Sequence, residues 1–157
     1  MISWLSPEWT KGSLISRREP EALAIVNAGP FSERLRTFFE TAAWRLSIVE
    51  NCADGAVRQK RDPAPVVFCD RDLIGCDWRK VVAQFSKSDV HPYVILLTRS
   101  SDTDLWDELI QNGGSDILRL SADRDLVLSA VEAGWLHWRS QQRLRLAEEI
   151  RKLRVRK

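Results

Sequence analysis

Short apolar runs alternate along this chain with stretches whose apolar residues recur every three or four positions. Runs of the first kind predict buried strands and those of the second kind amphipathic helices; their regular exchange predicts a parallel sheet covered by helices. Residues 23–26 form the first strand, closed by Asn27, Ala28, Gly29 and Pro30. Ser32 then caps a helix carrying Leu35, Phe38, Phe39 and Ala42. Residues 45–49 read as strand two, and residues 54–60 as a short helix stopped by the Asp62-Pro63-Ala64-Pro65 breaker. Strand three spans residues 66–69, and Trp78, Val81, Val82 and Phe85 mark the helix after it. Residues 93–98 are the clearest strand of the chain. Leu105, Leu109 and Ile110 lie on the following helix, which ends at Asn112-Gly113-Gly114, a left-handed stop. A brief fifth strand covers residues 116–118. The last helix starts near residues 121–123 and runs past Leu153, about 30 residues, longer than a globular helix usually is, so it is expected to project from the domain.

The expected organisation is an N-terminal extension over residues 1–20, a domain over 21–138, and a basic helical extension over 139–157, with no effector domain after it. Trp4, Trp9 and Leu14 fall in the first of these. At 44% hydrophobic residues the 157-residue chain can bury a full core, and no apolar run approaches the ~20 residues of a membrane span. Residues 1–20 lack the apolar core and small-residue cleavage site of a signal peptide, so a cytoplasmic location is expected. Residues 139–157 hold eight Arg and Lys against Glu148 and Glu149, a charge of +6, and the overall +2 leaves −4 for the remainder. Leu146, Ile150 and Leu153 follow 4-then-3 spacing, a fragment of a coiled-coil seam, so a homodimer through the last helix is favoured over nucleic-acid binding by the basic face. Trp135 and Trp138 are expected to seal that helix to the sheet or to a second subunit.

Three cysteines, Cys52, Cys69 and Cys76, are an odd number without CxxC spacing. Neither a disulfide framework nor a zinc site is expected, and Cys69 reads as a small core residue. His91 and His137 have no ligand partners at metal-binding spacing, and no P-loop, GxGxxG or Ser/His/Asp arrangement is present.

The candidate chemistry sits where strand three ends. Val66-Val67-Phe68-Cys69 runs into Asp70, followed by a loop with Asp72 and Gly75, and open α/β sheets bind ligands at such strand ends. This segment, within five βα units over residues 22–138, resembles bacterial response-regulator receiver domains, which have a doubly wound, flavodoxin-like α/β fold with a five-stranded parallel sheet. The resemblance makes Asp70 the phosphoacceptor and puts Asp72 where a backbone carbonyl completes a Mg²⁺ shell. Thr98 matches the strand-four hydroxyl that contacts the phosphoryl group. Residues 112–116 resemble the family's Ala-Gly-Ala-Asp-Asp segment, and Pro30 its proline before the first helix.

Five positions depart from that pattern. Asn27 and Ala28 stand where the family has a metal-binding acidic pair, so Mg²⁺ would rest on Asp70, Asp72 and a neutral oxygen of Asn27 and be weakened. Leu120-Ser121 replaces a Lys-Pro whose ammonium pairs with the phosphate. Arg119 is one position away and, in a strand, faces the opposite side. Ile117 replaces a signalling aromatic.

The resemblance implies a stand-alone, non-enzymatic response regulator, phosphorylated at Asp70 by a histidine kinase or phosphotransfer protein, with output through residues 102–138. The alternative is a phosphorylation-independent adaptor or dimerisation module.

Overall fold

The computed structural model describes residues 20–100 and 103–155. In chain order the elements are Glu21–Ile25 (β1), Pro30–Glu40 (α1), Arg45–Val49 (β2), Cys52–Arg61 (α2), Val66–Asp70 (β3), Trp78–Ser86 (α3), Tyr93–Thr98 (β4), Thr103–Gln111 (α4), Asp116–Arg119 (β5) and Arg124–Val155 (α5). The five strands are parallel, in the order β2-β1-β3-β4-β5. That is the doubly wound, flavodoxin-like arrangement, in which the chain leaves β1 to one side and returns to β3 on the other.

β1 and β3 are buried throughout and β4 nearly so, which explains their continuous apolar runs. Alternate side chains feed two cores. On one face Leu23, Ile25, Val67, Val94 and Leu96 pack with Trp78, Val82 and Phe85 of α3 and with Leu105 and Leu109 of α4. On the other, Ala24, Val66, Phe68, Ile95 and Leu97 meet Leu35 and Phe39 of α1 and Val127 and Val131 of α5. Cys69 is a fully buried core residue, as expected. Trp138 is buried, with its Nε1–H donating to the Val90 carbonyl at 2.9 Å, and Trp135 stacks edge-on against Trp44. The part of α5 up to Trp138 is thus sealed to the sheet and its helices by the two tryptophans.

Helix starts differ from the sequence expectation for local reasons. α1 begins at Pro30, whose ring presets the first helical φ, with Gly29 as its N-cap. Ser32 is therefore not the cap but the third residue of the first turn, and its hydroxyl donates back to the Gly29 carbonyl at 2.8 Å. α2 begins two residues earlier than expected, at Cys52, because Asn51 caps it by accepting the Asp54 N–H at 2.8 Å. Its packing face is Gly55, where a Cβ would stand 2.6 Å from Ile25 Cδ1, and Gln59. Gly113, at φ +90°, closes α4 as the sequence predicted.

The expected absence of disulfides is corrected: Cys52 and Cys76 are bonded, with Cα atoms 6.3 Å apart, a normal disulfide span. Spacing in the chain, 24 residues, hides a pairing that the sheet creates. β2 and β3 flank β1, so the segments leaving their C-terminal ends run side by side.

Pro20–Trp138 is one compact unit, and the part of α5 from Arg139 onward belongs to another. In that part Leu144, Leu146, Ile150 and Leu153 are exposed. No helix among the described residues is long and apolar enough to cross a membrane. The N-terminal extension, with Trp4, Trp9 and Leu14, lies outside the described residues apart from Pro20.

Candidate functional site

The C-terminal ends of β1, β3 and β4 converge at the switch point of the sheet, and the four residues proposed from the sequence stand on those ends and the adjoining loops. Asp70 is the last residue of β3, in register with Leu97 of β4, and only 3% exposed. Burial pushes its carboxyl group above the usual carboxylate range, opposed by the Asp72 N–H and by Arg99. Asp70 Oδ1 accepts that N–H at 2.9 Å, which folds the start of the loop back over the strand end.

Thr98 ends β4 and is buried. Its hydroxyl donates to the Ser100 carbonyl at 2.9 Å and accepts the Ser100 N–H at 3.2 Å. The hydroxyl thus orders its own turn in this arrangement. It also lines a cavity with Ser100, Trp106, Ile117 and Arg119 under α4. Leu120, the residue in the position of the missing lysine, packs on the opposite core, so Arg119 does face the other side.

Asn27 joins the loops after β1 and β3. Its Nδ2 donates to the Asp72 carbonyl at 3.0 Å, and its Oδ1 accepts the Ile74 N–H at 3.1 Å. The two groups offered by the sequence as auxiliary metal ligands, the Asn27 amide oxygen and the Asp72 carbonyl, are therefore engaged in these bonds. The Asp72 carboxylate instead pairs with Arg99 Nη1 at 2.9 Å. As arranged, these donors do not fit Mg²⁺, which needs several free hard oxygens in near-octahedral array. Among the described residues no cluster of three His, Cys, Asp or Glu side chains suits a metal.

Arg99 is the site residue that sequence reasoning missed. It follows Thr98 directly, is 62% exposed, and brings Nη1 to 4.0 Å from Asp70 Oδ1 while holding Asp72. A charged residue next to a strand-end hydroxyl was the available signal. Cys69, next to Asp70, takes no part: burial first, and the neighbouring carboxylate second, push its thiol up to about 12. The chemical character of the site is one desolvated carboxylate, a guanidinium at its rim and a loop tied down across it.

No family model matches the chain, and no curated protein matches it. Solved structures do. The signal receiver domain of an HD domain-containing protein from Pseudomonas fluorescens Pf-5 superposes with a TM-score of 0.74 at 20% identity, over 80% of this chain and 93% of that one. Chemotaxis response regulator CheY4 of Vibrio cholerae gives 0.68 at 10% identity, over 74% and 98%. This chain has the receiver fold. The receiver domain of sensor histidine kinase PA1611 from Pseudomonas aeruginosa PAO1 gives 0.67 at 13% identity, over 74% and 98%, and carries a magnesium ion in its active site cleft. At these identities the receiver likeness is one of backbone, and the chemistry rests on the side chains described above.

Proposed function

We propose that this chain is a receiver module of two-component signalling, with Asp70 as phosphoacceptor and Arg99 supplying positive charge in place of a metal held by an acidic pair at positions 27 and 28 and of a lysine at position 120. The observation that supports this is the buried Asp70 carboxylate at the switch point with the Arg99 guanidinium 4.0 Å from it. A phosphorylated imidazole of a histidine kinase or phosphotransfer partner is the donor. An Asp70 oxygen attacks phosphorus, the new P–O bond forms as the P–N bond breaks, and the imidazole leaves and takes up a proton. Little else is asked of the protein than positioning and neutralisation of the equatorial oxygens, which a guanidinium does well. The output face of this reading is α4, β5 and the first half of α5. The setting is cytoplasmic, and the chain acts through protein contacts rather than as an enzyme.

A second reading, a phosphorylation-independent adaptor, is favoured by one specific feature: the Asn27 amide already closes the loop across the crevice. Intact mass after incubation with acetyl phosphate, in Mg²⁺ and in EDTA, separates the two. The first reading expects a labile phosphoryl adduct on the wild type in both conditions, absent from Asp70→Ala and much reduced in Arg99→Ala. No adduct on the wild type in either buffer gives the adaptor.

A further inference from the structure

The segment between β3 and α3, residues 71–77, is held over the crevice by three ties of different chemistry. The Asp72 N–H bonds Asp70, the Asn27 amide bonds Asp72 and Ile74, and the Cys52–Cys76 disulfide fixes its far end to the first residue of α2. Between the ties Leu73 is buried in the core, whereas Ile74 is 81% exposed and Gly75 turns the chain at φ +77°. The covalent tie is the one that a change of environment can open.

We infer that Cys52 and Cys76 form a reversible thiol–disulfide site whose oxidation state sets the order of the loop beside Asp70. The two cysteines are half-buried: they pack against the core layer under α3 and α4, and each keeps part of its surface open to solvent. Cys52 occupies the first position of the ten-residue α2, where the helix dipole favours a thiolate. Cys52 is therefore the better leaving group, and attack falls on Cys76 Sγ.

The electron balance is that of ordinary exchange. A thiolate of a reducing dithiol bonds to Cys76 sulfur and expels Cys52 as thiolate. The second thiol of the reductant then attacks the mixed disulfide and releases Cys76, leaving the reductant oxidised and both protein sulfurs reduced. Reoxidation by a low-molecular-weight disulfide runs the same steps backwards. Cys69 cannot scramble the pair, being fully buried with its thiol pushed up to about 12.

A purely structural role is a poor account of this bond. Disulfide staples serve small chains that lack a core, whereas this one buries two apolar layers against a five-stranded sheet. The bond joins no two core layers; both cysteines pack against the same one, beside a loop in which Asp72, Ile74 and Gly75 are exposed. The inference does not depend on Asp70 accepting a phosphoryl group, since the loop changes order in either case.

The test is a redox titration of the full chain in glutathione–glutathione disulfide buffers, quenched by native alkylation and read by intact mass and by hydrogen exchange of residues 71–77. The expected result is two alkylations, at Cys52 and Cys76, appearing and disappearing reversibly across the series. Exchange at Asp72 and Ile74 is expected to rise about tenfold or more in the reduced form. Cys76→Ser is expected to show the fast exchange in every buffer. A pair that stays oxidised, or stays reduced, throughout the series overturns the proposal. So does a pair that titrates while exchange at Asp72 and Ile74 stays constant. Should Cys76→Ser fail to fold, the wild-type titration decides alone.

Discussion

Asn27→Ala isolates the tie that stands in place of metal coordination. The substitution deletes two neutral hydrogen bonds, Nδ2–H to the Asp72 carbonyl at 3.0 Å and the Ile74 N–H to Oδ1 at 3.1 Å. Bonds of this kind contribute about 1 kcal/mol each, and because these lie at an exposed edge, water replaces them in part. The loop should therefore lose about 1–2 kcal/mol of local stability, a factor of roughly 5–30 in its opening equilibrium. Native-state hydrogen exchange reads this directly at the Ile74 amide, compared in wild type and Asn27→Ala under non-reducing conditions. The Arg71 amide, which donates to the Leu97 carbonyl of β4 at 2.9 Å, serves as the internal control and should not change. Unchanged exchange at Ile74 would refute the tie. A uniform loss of protection through β3 and β4 would refute it differently, by making Asn27 a residue of the fold rather than of the loop.

Gln59→Leu should destabilise the domain by about 2–5 kcal/mol in urea unfolding, because the buried Gln59 amide both donates to and accepts from the Ala64 backbone at 2.8 Å and its loss orphans both groups; a cost below about 1 kcal/mol would contradict that pairing. Asp70 holds its proton to higher pH folded than unfolded, so its contribution is full at low pH and is lost as pH rises through the raised value. Asp70→Asn, neutral throughout, should gain in Tm over the wild type as pH goes from about 4 to 7.5, and a constant difference across that range would count against a desolvated carboxylate. Ile150→Asp, which breaks the exposed Leu146, Ile150, Leu153 seam, should turn a dimer into a monomer in sedimentation velocity; a wild type that is monomeric at high concentration removes the seam.

The parts of the fold that could be read from the sequence are those where burial alone decides conformation. β2 and β4 have the bounds that their apolar pattern predicts, and β3 runs one residue further, through Asp70 itself. α2 was blurred because its inward face is Cys52, Gly55 and Gln59, residues chosen for closeness to Ile25 and for hydrogen bonding, which leave no apolar period to detect. At the site, Asp70, Asp72, Thr98 and Asn27 do meet at one end of the sheet, because strand polarity alone carries them there. Their bonding did not follow from position. Thr98 turns to Ser100, Asn27 spans two loops, and Arg99 reaches back across the crevice, each a rotamer choice with no periodic signature. The disulfide escaped for a similar reason: counting and spacing test local frameworks, and this pair is made by strand order.

The departures at this crevice make sense together and poorly one by one. An acid at position 27 would stand beside the Asp70 and Asp72 carboxylates, and without a divalent cation three like charges at one strand end repel. An amide there carries no charge and supplies both a donor and an acceptor, which fit the Asp72 carbonyl and the Ile74 N–H. Two carboxylates then remain, and Arg99 lies within reach of both, at 2.9 Å and 4.0 Å. The loop order that a bound cation would impose from the centre of the crevice is imposed here from its edges, by the amide on one side and the Cys52–Cys76 bond on the other. Such a loop is ordered before any donor arrives, by those two ties together with the Asp72 N–H on Asp70 and the buried Leu73. One of them is covalent and made of sulfur, and in this crevice control of loop order therefore passes from metal occupancy to thiol chemistry.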